Sequence, residues 1–171
     1  MQLIQLMFRA FIYAALASPA FSQGPAGKME RQEEIAARDA AEILAYFQKA
    51  RTNWAEGKRD EAVFWLYVAQ LSFRASLAAY PDQDPTGAPA LFGSLMETVG
   101  RPINEYAFGD IPQLLATIDR ALAFDEAHAN RSIPDAVHRQ TRAGLIVLHD
   151  EIKRTAEVIR KQRTANNLEN R

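Results

Sequence analysis

The side chains with the widest chemical range in this chain are three histidines, a charged cluster after residue 96 and an aromatic-rich stretch from Phe64. His128, His138 and His149 form no His-x-x-x-His pair. His138 and His149 are eleven residues apart, which puts them on one helix face but about 16 Å apart along it, at ~1.5 Å per residue. One metal ion cannot bridge that span, and no serine nucleophile elbow stands near either. They read as surface histidines. Asp82-Gln83-Asp84-Pro85-Thr86-Gly87 resembles the opening of a calcium loop. Its twelfth place is Gly93, where a bidentate Glu belongs, so a plain helix–helix turn is the better reading. The basic run near Arg154 and Arg163 is interrupted by Glu157 and reads as a solvated helix face.

Two groups of residues remain as binding candidates. Phe64, Trp65, Tyr67 and Phe73 are mostly core by type, but Trp65 or Tyr67 could line a groove, where an aromatic with a polar handle is useful. Gln70 and Arg74 lie four apart on the same apolar segment and need polar partners. Glu97, Asn104 and Glu105 are the natural ones. Glu97, Arg101, Asn104, Glu105 and Tyr106 cluster along a helix end and the segment after it. Two carboxylates near two arginines could form an acid/base pair or a structural ion-pair network, and the network is favoured. No oxyanion hole, base-activated nucleophile or phosphate-binding glycine loop accompanies them. No catalytic residue, metal site or cofactor is therefore assigned, and the chain points away from an enzyme.

Composition narrows the classes further. The chain has 171 residues, 20 basic and 21 acidic, for a net charge of -1. That balance argues against nucleic acid as a partner. There is no cysteine, so disulfides, thiol catalysis and thiolate zinc sites are excluded. Residues 1–22 read as a signal peptide. Arg9 is their only charge, an apolar run follows it, and Ala20 and Ser22 satisfy the small-x-small cleavage rule. The cut is expected after Ser22, with Ala20 as a second possible end. That apolar run is too short for a membrane span, and the later apolar runs are all broken by charges. The mature chain is expected to be periplasmic or secreted, with no membrane span after cleavage.

Helical periodicity governs the rest, and no segment alternates with a period of two. Residues 23–29 should be a flexible leader and residues 30–165 a single all-helical domain, with a frayed tail at 166–171. The first helix should end near Gly57. The second, capped by Asp60, is apolar on most sides and belongs at the centre. A third should run over residues 89–99 and stop at Gly100. An irregular segment would then lead to a fourth helix capped by Asp110, with Gln113 three residues on. The last and longest should run over residues 134–165, with Val137, Leu145, Leu148, Ile152 and Ile159 on its apolar side. The fold class expected is all-α, about five helices in a small bundle or short helical-hairpin array.

Trp54-Ala55-Glu56-Gly57-Lys58-Arg59-Asp60-Glu61-Ala62, followed by Leu66 and Ala69, resembles the middle of one tetratricopeptide-type hairpin. The resemblance spans residues 40–78 and has no second copy. It implies two antiparallel helices and, by analogy of fold, a protein-binding role. The expected function is therefore an exported helical protein that binds another protein, such as an immunity factor or envelope adaptor. The surface would be built on the second helix and residues 100–110. The alternatives are a small-ligand or enzymatic pocket around Arg74, Glu97 and Glu105, and a structural part of an envelope assembly with an apolar stripe on the last helix.

Overall fold

The computed structural model describes residues 26–171 except 82, 83 and 85, with side chains from residue 38 onward. The segment expected to be a signal peptide lies outside those residues, as do three of the six residues of the calcium-like motif. The described chain is all-α: α1 Ala26–Ala55, α2 Arg59–Ala79, α3 Ala88–Leu95, a π-helical turn Met96–Gly100, α4 Arg101–Ala107, α5 Ile111–His128 and α6 Asp135–Ala165. No strand occurs among the described residues.

α1 and α2 form a hairpin. Gly57 joins them with φ 78, a left-handed conformation that glycine adopts without steric cost. α2 starts at Arg59, one residue before the Asp60 cap expected from sequence. Lys58 occupies the cap position without a side-chain bond, and Asp60 lies in the first turn instead. α1 begins at Ala26, inside the stretch expected to be a loose leader.

α2 is the centre of the molecule and packs against every other α-helix. Leu66, Tyr67, Val68, Ala69, Gln70 and Leu71 are consecutive and all buried. A helix can hide adjacent residues only when neighbours cover all its sides. Burial of each large apolar side chain contributes roughly 1.5–3 kcal/mol before chain entropy is counted. By length and a mean hydropathy of 1.3, α2 would suffice to cross a membrane. Here its apolar sides are spent on the core.

The segment after Gly100 is not an irregular loop. The third helix gives way to the π-helical turn at Met96, and α4 follows without a break. Pro102, which has no N–H to donate to a preceding carbonyl, sits at the start of α4, just after the π-helical turn. Ile103, Ala107 and Phe108 enter the core from it. Asp110 caps α5 as expected, its Oδ1 accepting from the Gln113 N–H at 3.1 Å. α6 buries Leu145, Leu148, Ile152 and Ile159.

The final residues are tied down rather than frayed. Arg163 of α6 is 3 % exposed and donates to the carbonyls of Glu105 and Glu169. The Arg171 N–H donates to the Gly109 carbonyl at 2.7 Å, and its guanidinium lies 3.7 Å over the Tyr106 ring. A Cβ on Gly109 would come within 3.0 Å of the Tyr106 carbonyl and 2.9 Å of Arg171. The tail can lie this close only because residue 109 has no side chain.

Candidate functional site

The nine residues singled out in the sequence do not form one surface. Tyr67, Gln70, Arg74 and Asn104 are buried. Tyr67 is wholly enclosed, so it lines no groove. Burial pushes the Arg74 guanidinium down to about 9, and that of Tyr67 pushes its phenol up. Arg74 also stands 5.6 Å over the Phe92 ring. The Tyr67 hydroxyl, both ends of the Gln70 amide and the Asn104 Oδ1 have no hydrogen-bond partner among the described residues. Glu97 and Arg101 pair with each other on the surface, four residues apart. Glu105 is exposed and contributes its carbonyl to Arg163. Arg74 therefore shares no open cleft with Glu97 and Glu105. Tyr106 is half-buried at the α1–α2 turn, where its hydroxyl donates to Asp60 at 3.2 Å and its ring meets Trp54 edge-on. Trp65 is half-buried and packs against Tyr46 and Phe124, two residues that line a cleft.

That cleft lies between α1, the end of α5 and the start of α6. Asp39, Glu42, Ile43 and Tyr46 line it from one face of α1, and Phe124, Asp125 and His128 line it from the last turn of α5. Ser72, Asn130, Ile133 and His138 complete it. Its enclosed part holds about 20 Å³, room for one water-sized group. With the solvent at its mouth the space is about 390 Å³.

Each wall has a local cause. Asp39 is 5 % exposed, and Asn130 Nδ2 and Ser132 Oγ donate to its carboxylate at 2.6 and 2.9 Å. It thereby fastens the α5–α6 connection to α1. Asn130 Oδ1 accepts from the Ser132 N–H at 2.9 Å, a side-chain turn that shapes the connection itself. Asp125 is also buried and accepts from Arg142 at 2.9 Å. His138 is not a surface histidine. Its side chain is 4 % exposed, because it sits on the buried side of α6. Its Nε2 lies 3.0 Å from the Asn130 carbonyl. A carbonyl only accepts, so Nε2 carries the hydrogen, and in the neutral ring Nδ1 is an acceptor. That Nδ1 has no hydrogen bond and stands 3.9 Å from Asp125 Oδ2.

The outer rim is aromatic. Tyr46 stacks on Trp65 with centroids 5.6 Å apart, and Phe124 meets both rings edge-on. His128 stacks on Phe124 at 4.1 Å. Tyr46 donates to Glu42 at 2.7 Å. Burial, then Glu42 and then Asp125 push its phenol well above the usual tyrosine range. Asp39 acts likewise on Tyr80, second to burial. In both, burial is the larger cause and the neighbouring carboxylates add to it.

Asp39, Asp125 and His138 went unmarked in the sequence, yet each breaks an apolar helical stripe. Asp39 precedes Ile43, Phe47 and Ala50; Asp125 follows Leu114, Ile118 and Ala121; His138 precedes Leu145, Leu148 and Ile152. A polar residue in register with such a stripe must be buried. That was the available signal. No protein-family model matches the chain, and neither does any curated protein or solved structure.

Proposed function

We propose that this chain is an exported protein, periplasmic or secreted, that acts by binding another protein through the cleft between α1, α5 and α6. An immunity factor or an envelope adaptor is the kind of role such a molecule serves. One observation carries the reading: Asp39, Asp125 and His138 are buried together at the floor of an open cleft, under a rim of solvent-reachable aromatics. The two carboxylates are satisfied from within, whereas His138 Nδ1 has no hydrogen bond; a buried polar atom left without a partner beside an opening favours a contact made from outside. Tyrosine and tryptophan, the types at Tyr46 and Trp65, are also among those enriched in binding hot spots. The surface first expected on α2 is unsuited, since that helix is spent on the core.

The envelope-assembly reading draws on Ile146, Val147 and Val158, which are exposed on α6. The Glu151–Arg154 pair interrupts them, so they form no continuous stripe.

The test uses the mature protein as bait in periplasmic extract, beside a Glu42→Arg variant. Glu42 is exposed, so reversing its charge leaves the fold intact. A partner retained by the parent and lost by the variant is expected. Failure of the parent to retain any partner reproducibly, or finding the precursor uncleaved in the cytoplasm, would refute the reading.

A further inference from the structure

We infer that the group this cleft accepts is a primary ammonium. The inference deepens the proposed role of the same cleft and rests on it. The floor presents acceptors almost exclusively: the carboxylates of Asp39 and Asp125, that of Glu42 beside them, and the His138 Nδ1. An ionised carboxylate offers about four acceptor sites. The hydrogen bonds described for Asp125 and Glu42 use one on each. Arg142 is committed to Asp125, and Lys49 stands over the Trp65 and Tyr46 rings, 4.0 and 5.4 Å from their centroids. The donors described at Asp39 are neutral and Arg142 makes one bond to Asp125, so these carboxylates keep acceptor sites to spare.

The preferred guest is thus a cation that donates several hydrogen bonds. A metal ion fits poorly, because no three His, Asp or Glu side chains among the described residues are placed to hold one. The enclosed space suits a compact –NH3+ with its three donors better than a planar guanidinium with five. The Tyr46 and Phe124 rings, which line the cleft, would flank the attached methylenes. His138 Nδ1, buried and without a hydrogen bond, is an acceptor in the neutral ring and leaves a place for a donor ligand. Such a group could come from a lysine side chain of a protein partner or from a free polyamine.

The experiment is an NMR titration of the mature protein, following the indole N–H signals of Trp65 and Trp54 and the imidazole signals of His138. The probes are n-butylammonium, ethylguanidinium and 1-butanol. Expected is a saturable shift of Trp65 and His138 with n-butylammonium and none at Trp54, which lies at the other end of α1. In Glu42→Gln, which keeps an acceptor for Tyr46, the ammonium should bind about threefold more weakly, the scale of one partly solvated charge contact. No saturable shift, an equal response to 1-butanol, or tighter binding of ethylguanidinium would overturn the inference. Spermidine and an acetylated, amidated Gly-Lys-Gly peptide then separate the two sources, and binding of either supports the ammonium. If amines bind but periplasmic bait retains no partner, the protein-contact reading fails alone. If a partner binds through the cleft and no amine does, only the ammonium assignment falls.

Discussion

Asp125 shows how a single polar residue can organise a site. It stands on the apolar side of α5, 7 % exposed, with Arg142 and His138 of α6 on its far side. Its charge is tolerated there because the Arg142 guanidinium, itself 21 % exposed, bonds to it at 2.9 Å. Asp125→Asn keeps the shape and removes the charge, leaving that guanidinium half-buried beside a neutral amide. A loss of roughly 1–3 kcal/mol is expected, the range for a hydrogen bond to a charged group discounted for partial exposure. It should appear as a lower urea midpoint with an unchanged slope. A midpoint equal to the parent's would mean the pair contributes nothing. Asp39 differs in kind. Its bonds to Asn130 and Ser132 come from neutral donors, where Asp125 is bonded by a cation.

Helix boundaries obey two kinds of control, and the glycines separate them. Gly57 and Gly93 each have nothing within 4 Å of an added Cβ. Only Gly57 has a left-handed backbone; Gly93 lies within α3. The same substitution should therefore have opposite signs. Gly57→Ala should cost about 1 kcal/mol through backbone strain alone. Gly93→Ala should stabilise by about 0.5–1 kcal/mol through lower entropy of the unfolded chain. Thermal melts of the two variants check this, and equal shifts would contradict it. Gly57 was legible as a helix stop because glycine after a run of helix formers signals one. Gly100 carries the same signal, but α4 continues through it. Its backbone is right-handed, at φ -69, and Met96 packs over it. Nothing local distinguishes the two glycines; the packing of Ile103 and Phe108 against α2 does. The tail is a similar case, held by Arg163 and Gly109 from other parts of the chain.

Tyr46 and Tyr67 couple their ionisation to the stability of the whole fold. Both phenols are held above the ordinary value of 10, and burial is the leading cause in each. A raised folded pKa means the native state keeps these protons longer than the unfolded chain. Stability from this source is complete below pH 10 and is lost as pH rises beyond it. Arg74 acts in the opposite sense, because a depressed pKa relieves buried charge as pH climbs past about 9. One such group does not offset two phenols, so net destabilisation above pH 10 is expected. In an alkaline titration, phenolate absorbance and loss of helical dichroism should include a shared transition. Full ionisation of all tyrosines with the helices intact would contradict it. At this scale the sequence alone determined the all-α class, the central place of α2, the hairpin turn at Gly57 and the cap at Asp110. Each depends on periodicity or on contacts within a few residues, which a linear pattern records. Only the tertiary structure decided that Asp39, Asp125 and His138 meet, that α4 is helical, and that the tail is bound. Those outcomes depend on which helix faces which, and they join distant parts of the chain, as in the Ser132–Asp39 bond across 93 positions. A stripe reveals that a polar residue will be buried; the crossing of three helices is what supplies its partners.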